Sequence, residues 1–200
     1  GERPWQEATV AARPGLDLIP SSPRLAEAKD ELVARAAAMS VVAMSKGREP
    51  SASTQFLEKA LGEVTGYDFV LLDCAPSRDV LNANALRFVS EILLPVSVDF
   101  LATVGAGQHT MAVRQAQDSG SGVRIRYVVP TFYDRRTIKS REILAQLNQF
   151  YGAVVTEPIP INVSLAEAPS FGRSIFEYAP RSAGAQAYTK LVQRVAKDGR

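Results

Sequence analysis

An apolar run that ends in a carboxylate constrains this chain more than any other feature. Residues 67–77 read YDFVLLDCAPS, so Asp73 follows an unbroken apolar run and precedes a turn that contains proline. A short apolar run bounded by turn residues is typical of a buried parallel strand. In parallel sheets, ligands bind beyond the carboxyl ends of such strands. We therefore predict a strand at 69–73 that places Asp73 at the rim of a nucleotide site.

The phosphate-binding loop that usually accompanies such a strand is missing from the sequence. A Walker A loop, with the pattern Gly-x-x-x-x-Gly-Lys-Ser/Thr, cradles phosphates with its backbone N–H groups and its lysine. The 200 residues contain no Gly-Lys pair and therefore no loop of this kind. The chain also begins at Gly1 rather than at methionine. This start favours a truncated or processed N-terminus.

Strand-like and helical patterns alternate along the chain. Besides 69–73, we predict strands at 16–19, 92–96, 123–129 and 154–155. Helices are predicted after a cap at Ser21 or Ser22, at 56–64 (closed by Gly66), and at 80–89, 105–117, 137–150 and 182–196. The polar segment 45–53 is predicted to be a loop. This alternation indicates an α/β fold, with a mostly parallel sheet flanked by helices on both faces, in a single domain over residues 1–200.

The predicted strand ends define one candidate rim. The carboxyl ends of parallel strands lie at the same edge of a sheet, and ligands bind there. We therefore expect Asp73 and three segments that follow strands to converge on one edge. These segments are 96–100, 130–136 and 160–162.

The amino-acid composition argues against several kinds of functional site. The chain has one cysteine, Cys74, and one histidine, His109, which argues against an internal disulfide, a multi-cysteine zinc site and a Ser-His-Asp triad. Cys74 follows an apolar strand pattern and is expected to be a buried, inert thiol. No signal peptide and no apolar run long enough to span a membrane is apparent, which indicates a cytoplasmic protein.

Basic residues are concentrated in one stretch although the net charge is only +2. Six cations and one acid, Asp134, lie between Arg124 and Arg141. Such a local excess can attract an anionic partner. A solvated helix face explains the same pattern, and the residues alone leave both interpretations open.

Several collinear motifs resemble the ParA family of partition ATPases. They cover about residues 15 to 196. The matching segments are DCAPS at 73–77, LNANAL at 81–86, PV at 95–96, TFYDRRT at 131–137, IPINVSLAEAPSFG at 159–172 and YAPRSAGAQAY at 178–188.

The resemblance implies a nucleotide site and its cofactors. The fold would be that of a P-loop NTPase of the deviant Walker type, without its P-loop strand–helix unit. Asp73 matches the Walker B aspartate, the catalytic and metal-binding carboxylate that holds the Mg²⁺ of Mg-ATP through water. Two segments match those that surround the adenine. Their candidate residues are Thr131, Phe132, Asp134, Pro160, Ile161, Asn162 and Val163.

The resemblance also implies partners. ParA proteins close an ATP sandwich dimer, bind DNA non-specifically and respond to a ParB-type partner, so we expect a homodimer associated with the nucleoid in the cytoplasm. Accessible cations suffice for non-specific phosphate contacts. The candidate DNA-binding residues are Arg135, Arg136, Lys139, Arg141, Arg173 and Arg181.

Three functions remain open from the sequence. The first is a ParA-like ATPase that segregates a chromosome, a plasmid or other cargo, with its Walker A segment outside these 200 residues. The second is a nucleotide-free binding or regulatory module that kept the fold and lost the enzyme activity. The third is a MinD-like membrane regulator, which requires an exposed amphipathic helix near 188–196. A terminal helix docked on the sheet is the simpler reading of that pattern, so no stable membrane association is expected.

Overall fold

A computed structural model describes residues 4–46, 55–62, 64–75, 77 and 79–199, without the side chains of 100–106 and 108. The predicted loop at 45–53 falls mostly outside these residues. The chain divides into two compact units. Unit 1 comprises Gly1–Ser90 and Ala116–Val123, and unit 2 comprises Glu91–Gln115 and Arg124–Arg200.

The described part of residues 1–90 in unit 1 contains a hairpin and three helices. A 3-10 turn at Trp5–Ala8 precedes strands β1 (Val10–Arg13) and β2 (Leu16–Leu18), which pair antiparallel. The helices are α1 (Arg24–Ser45), α2 (Phe56–Leu61) and α3 (Val80–Phe88). Strand β2 confirms the prediction at 16–19, whereas β1 lies in a segment for which no strand was predicted.

Side chains of α3 organise the local structure of unit 1. Asp79 caps the helix, because its carboxylate accepts hydrogen bonds from the backbone N–H groups of Leu81 and Asn82. Asn84, which is buried, accepts hydrogen bonds from the N–H groups of Phe56 and Leu57 at 2.7 and 3.2 Å. Asn84 therefore satisfies the free donors at the start of α2 and ties α2 to α3.

Two predicted helix ends in unit 1 are wrong. Neither Ser21 nor Ser22 caps α1 with its side chain, because the residue at the cap position is Pro23. Helix α2 ends at Gly62 rather than at Gly66. Gly62 has a φ of +57°, and glycine adopts this conformation without the steric cost that a side chain imposes.

The predicted buried strand at 69–73 is also wrong. These residues adopt no strand, and Phe69, Val70 and Leu71 are exposed, Leu71 by 86%. A strand forms through hydrogen bonds to a neighbouring strand, and within the described part of the chain no strand pairs with this segment. The segment is apolar and favours burial, but its own residues do not supply the neighbouring strand that burial in a sheet requires.

Unit 2 is built on two parallel strands. Strand β3 (Glu91–Ser97) pairs in parallel with β4 (Arg124–Thr131). Isolated parallel bridges join Val128 to Val155 and Tyr133 to Pro160. The predicted strands at 92–96 and 123–129 are thus confirmed, whereas 154–155 contributes only a bridge after a 3-10 turn at Gly152–Val154.

Helices follow these strands along the chain. The described elements are α4 (Phe100–Asp118), α5 (Ile138–Tyr151), α6 (Val163–Glu167), a 3-10 turn (Ala168–Phe171), α7 (Ile175–Tyr178) and α8 (Ala183–Asp198). Helix α4 begins before its predicted start, and its last turn falls in unit 1. Thr137 and Ser182 cap α5 and α8 through their hydroxyl oxygens.

The core of unit 2 lies on both faces of β4. Val128 packs with Ile143 and Leu147 of α5 in one cluster. Tyr127 and Val129, whose side chains alternate with Val128, pack with Leu191 of α8 in a second cluster. This alternation places helices on both faces of the sheet, as the fold class predicts.

Helix α8 is held by specific polar contacts as well as by its apolar face. The Tyr127 hydroxyl donates to Asp198 at 2.9 Å, and burial together with this carboxylate raises the Tyr127 pKa. Arg194 donates to the carbonyl oxygens of Val155 and Ala153. The apolar face is therefore engaged, which argues against the MinD-like interpretation. In the part of the chain that the structure describes, no helix is long and apolar enough to cross a membrane.

Candidate functional site

Two segments predicted to surround a base lie side by side in unit 2. Tyr133 donates its backbone N–H to Ile159 O, and Ile161 donates to Tyr133 O, both at 3.1 Å. Ile159 donates to Pro130 O at 2.8 Å. These bonds continue the parallel pairing past the end of β4. The carboxyl-terminal edge of the sheet therefore brings 131–134 and 160–163 together, although they are separated in sequence by α5.

An open cleft of about 510 Å³ lies against these segments. Its lining is Tyr133, Asp134, Arg135, Arg136, Glu157, Pro158, Pro160 and Ile161. An aromatic ring, two prolines and an isoleucine supply apolar area, and two carboxylates and two guanidinium groups supply charge. Pockets for small ligands combine apolar walls with a few placed polar groups in this way.

Phe132 adopts an unusual backbone conformation beside this cleft. It has a φ of +54°, which is uncommon for a bulky residue. Its side chain is 67% exposed, so burial of the ring does not offset the cost. Backbone strain of this kind concentrates at ligand clamps and switch regions. Phe132 lies one residue past β4 and is not among the residues that line the cleft.

Asp134 and Arg136 form a closed ion pair in the cleft. Arg136 Nε lies 2.9 Å from Asp134 Oδ1, and Arg136 Nη2 lies 2.8 Å from Asp134 Oδ2. The Arg136 backbone N–H also donates to Oδ1 at 3.0 Å. Chiefly through the hydrogen bonds from Arg136, the pKa of Asp134 falls from 3.8 to about 2, and the carboxylate raises the Arg136 pKa in turn.

The other predicted base contacts differ in exposure. Ile161 and Val163 are exposed, whereas Thr131 and Asn162 are partly buried. Asn162 directs its amide oxygen inward, where that atom has no hydrogen-bond partner among the described residues. A side chain at Gly184 of α8 would place its Cβ 3.2 Å from this oxygen. In this arrangement the Asn162 oxygen faces α8.

Asp73 belongs to unit 1, whereas the residues of the cleft belong to unit 2. It is exposed and lies in the irregular segment that follows the apolar run. Cys74 is exposed rather than buried as predicted, and burial of part of its thiol raises the Cys74 pKa. Among the residues with described positions, no group of three or more His, Cys, Asp or Glu side chains could hold a metal ion.

The predicted DNA-binding cations are all exposed. Arg135 and Arg136 lie on the turn before α5, and Lys139 and Arg141 lie within its first two turns. Arg173 and Arg181 lie on the segments that flank α7. Arg136 is the member of this set with an ion pair in the described structure.

Sequence reasoning missed two residues of the cleft. Glu157 and Pro158 line it but lie outside the predicted 160–163 segment. The signal available for them was the predicted strand at 154–155, whose carboxyl end they follow. Tyr133 lies within a matching motif, yet its contribution becomes evident only from the bridge to Pro160.

A parallel sheet with helices on both faces and a cleft beyond its strand ends is the architecture of α/β proteins, which bind ligands at this edge. The family model "AAA domain" (AAA_31) matches residues 2–125. The chromosome-partitioning ATPase Soj of Thermus thermophilus is 35% identical over 192 residues, which cover 94% of this chain and 69% of Soj. Soj of Treponema pallidum is 36% identical over 148 residues, which cover 72% of this chain. The chain therefore belongs to the ParA family of partition ATPases.

Solved structures support the P-loop NTPase type of fold. Cobyrinic acid a,c-diamide synthase from Mycobacterium smegmatis, solved with an ATP analogue and magnesium, is 27% identical with a TM-score of 0.69, covering 98% of this chain and 69% of the synthase. An ATP complex of Cyanothece McdA is similar in fold alone, with 15% identity and a TM-score of 0.72 over 96% of this chain and 70% of McdA. The chain spans 58% of the length of the Treponema Soj.

Proposed function

We propose that residues 1–200 act as one ParA-like domain that binds the base of ATP in the cleft between 131–136 and 157–161. The observation that carries this proposal is the hydrogen-bonded pairing of Tyr133 with Ile159 and Ile161. It unites two segments that the family resemblance assigns to the base, at the sheet edge where α/β proteins bind ligands. Tyr133, Pro160 and Ile161 offer apolar area to a planar base.

The cleft contains a hydrogen-bond acceptor for the base of a nucleotide. The Asp134 carboxylate accepts hydrogen bonds, as recognition of a base amino group requires. The sequence has no Walker A loop to supply backbone N–H groups and lysine to phosphates. Asp73 is the candidate for holding Mg²⁺ through water. When bound, Mg²⁺ would neutralise phosphate charge during hydrolysis.

The proposal extends to the assembly and its partners. The ParA-like protein closes a sandwich homodimer on ATP, binds DNA without sequence preference, and segregates its cargo with a ParB-type partner, in the cytoplasm at the nucleoid. Exposed cations on the turn before α5 and on α5 itself support the DNA-binding part. Phosphate contacts from such cations need no base-reading element.

Isothermal titration of the protein with Mg-ATP tests the nucleotide part. Saturable binding that weakens on substitution of Tyr133 by alanine supports the proposal. Absence of binding contradicts it and leaves the alternative function, a nucleotide-free binding or regulatory module. One observation favours that alternative: the segment that carries Asp73 is exposed and pairs with no strand among the described residues.

Charge reversal tests the DNA part. We expect the Arg135→Glu, Arg136→Glu double variant to weaken binding about equally for unrelated duplex sequences, because only phosphate contacts are lost. A matched control is Arg24→Glu with Arg35→Glu on α1, which changes the net charge by the same amount outside the proposed surface. Unchanged affinity of the first variant at low salt would remove these arginines from the DNA-binding surface.

A further inference from the structure

One exposed arginine of the proposed DNA surface is bound to a carboxylate of the cleft. The Arg136 side chain is 84% exposed and the Asp134 side chain only 19%. The guanidinium occupies both oxygens of the carboxylate in a two-point geometry. Planar two-point pairs are the strongest of the charge-assisted hydrogen bonds. The Nε and Nη2 groups of Arg136 are therefore engaged by Asp134 rather than available to DNA phosphates.

A single turn connects the cleft to the basic residues of α5. The Asp134 carbonyl oxygen accepts hydrogen bonds from the Thr137 N–H and hydroxyl, both at 3.1 Å. Thr137 in turn caps α5, on which Lys139 and Arg141 lie. No ion pair engages Arg135, Lys139 or Arg141 in the described structure, in contrast to Arg136. Asp134 therefore holds one cation of a group whose other members are available.

We infer that Asp134 is an autoinhibitory residue, an inference that rests on the proposed function. Its carboxylate keeps the Arg136 guanidinium from binding DNA phosphates until a ligand in the cleft engages the carboxylate. A ligand group that donates hydrogen bonds to Asp134 competes with the guanidinium and releases it. The released arginine adds one cation to the DNA surface. By linkage, DNA that engages Arg136 increases the affinity of the protein for this ligand by the same factor.

The variant Asp134→Asn isolates this contact without any nucleotide. The asparagine oxygen still accepts the Arg136 backbone N–H, so the turn is retained while the ion pair is lost. We expect tighter binding to duplex DNA at about 50 mM salt, and a log–log salt slope steeper by about 0.9 for one additional phosphate contact. Glu142→Gln on α5 removes the same charge without freeing an arginine and serves as the matched control.

Two outcomes decide the inference. Adding Arg136→Gln to Asp134→Asn should abolish the gain and restore the original salt slope. If Asp134→Asn merely equals Glu142→Gln in affinity and slope, while the wild-type protein binds DNA, the gain is general electrostatics and the inference is wrong. If no variant binds DNA, the DNA part of the proposed function fails first. Circular dichroism and thermal unfolding establish that each variant is folded.

Discussion

The two units of this chain differ sharply in how they bury their apolar residues. In unit 2, β4 packs α5 on one face and α8 on the other, and each face has its own buried cluster. In unit 1, the buried residues in the described part of the chain are Asn84, Ala85 and Val123. Few side chains of unit 1 are therefore buried in the described part of the chain, whereas unit 2 has a conventional core. The contrast shows that similar apolar patterns give a core only where partners are available.

The largest difference is expected from the same substitution made in each unit. Leu147→Ala removes a side chain that is 4% exposed in the core of unit 2, and we expect a loss of about 2–5 kcal/mol. Leu71→Ala in unit 1 removes a side chain that is 86% exposed, and we expect a change within about 0.5 kcal/mol. Urea unfolding of both variants measures this. A large loss for Leu71→Ala would mean that the apolar segment is packed in solution.

A second pair of substitutions tests the packing within unit 2. An alanine Cβ at Gly184 would lie 2.7 Å from Leu165 Cγ. We expect Gly184→Ala to cost about 1–3 kcal/mol through overpacking. At Gly107 of α4 an added Cβ meets no described atom within 4 Å, so Gly107→Ala should stabilise the helix by up to about 1 kcal/mol. Thermal unfolding compares them, and a neutral Gly184→Ala would contradict the close contact between α6 and α8.

Removing one helix cap in each unit distinguishes a local loss of stability from a global one. Asp79→Ala in unit 1 and Ser182→Ala in unit 2 each remove a cap worth about 1 kcal/mol. Because unit 1 buries few residues and Asn84 ties α2 to α3, we expect Asp79→Ala to accelerate amide exchange mainly in α3 and α2. Ser182→Ala should lower the unfolding free energy of unit 2, since α8 is part of its core. Equal, global effects of both changes would remove the distinction between the units.

The smallest expected effect on stability comes from the ion pair between Asp134 and Arg136 in the cleft. Hydrogen bonds from Arg136 hold the Asp134 pKa at about 2. This pKa lies below the value that Asp134 has in the unfolded chain. The ion pair therefore contributes to the free energy of unfolding above about pH 4, and this contribution is lost as the pH falls towards 2. Arg136→Gln should raise the Asp134 pKa towards 3.8. Carboxyl resonances followed by NMR report the shift, and an unchanged midpoint would show that the pair is absent in solution.

The sequence predicts most of unit 2 because its signals are local. Thr137 and Ser182 start their helices as their residue types suggest. The runs that became β3 and β4 are apolar and also have each other as partners. In unit 1 the local rule fails at 69–73, because a strand depends on a neighbour that its own residues do not specify.

Prediction of the candidate site was limited for the same reason. The motifs at 131–137 and 159–172 indicated both segments of the cleft, but not that Glu157 and Pro158 line it. Those positions depend on the register between Tyr133 and Pro160, which only the folded sheet defines. Likewise, Asp134 and Arg136 were expected to bind different partners, and their mutual pairing became evident from the side-chain geometry.

Hydrogen–deuterium exchange with and without Mg-ATP tests most directly whether the cleft of unit 2 binds the base. We expect slower exchange in 131–136 and 157–163 on addition of Mg-ATP, with the Tyr133 and Ile161 amides among those protected. Adenosine alone should protect the same segments at higher concentration, since the base supplies these contacts. Binding of Mg-ATP that leaves exchange in both segments unchanged would contradict the assignment of the cleft.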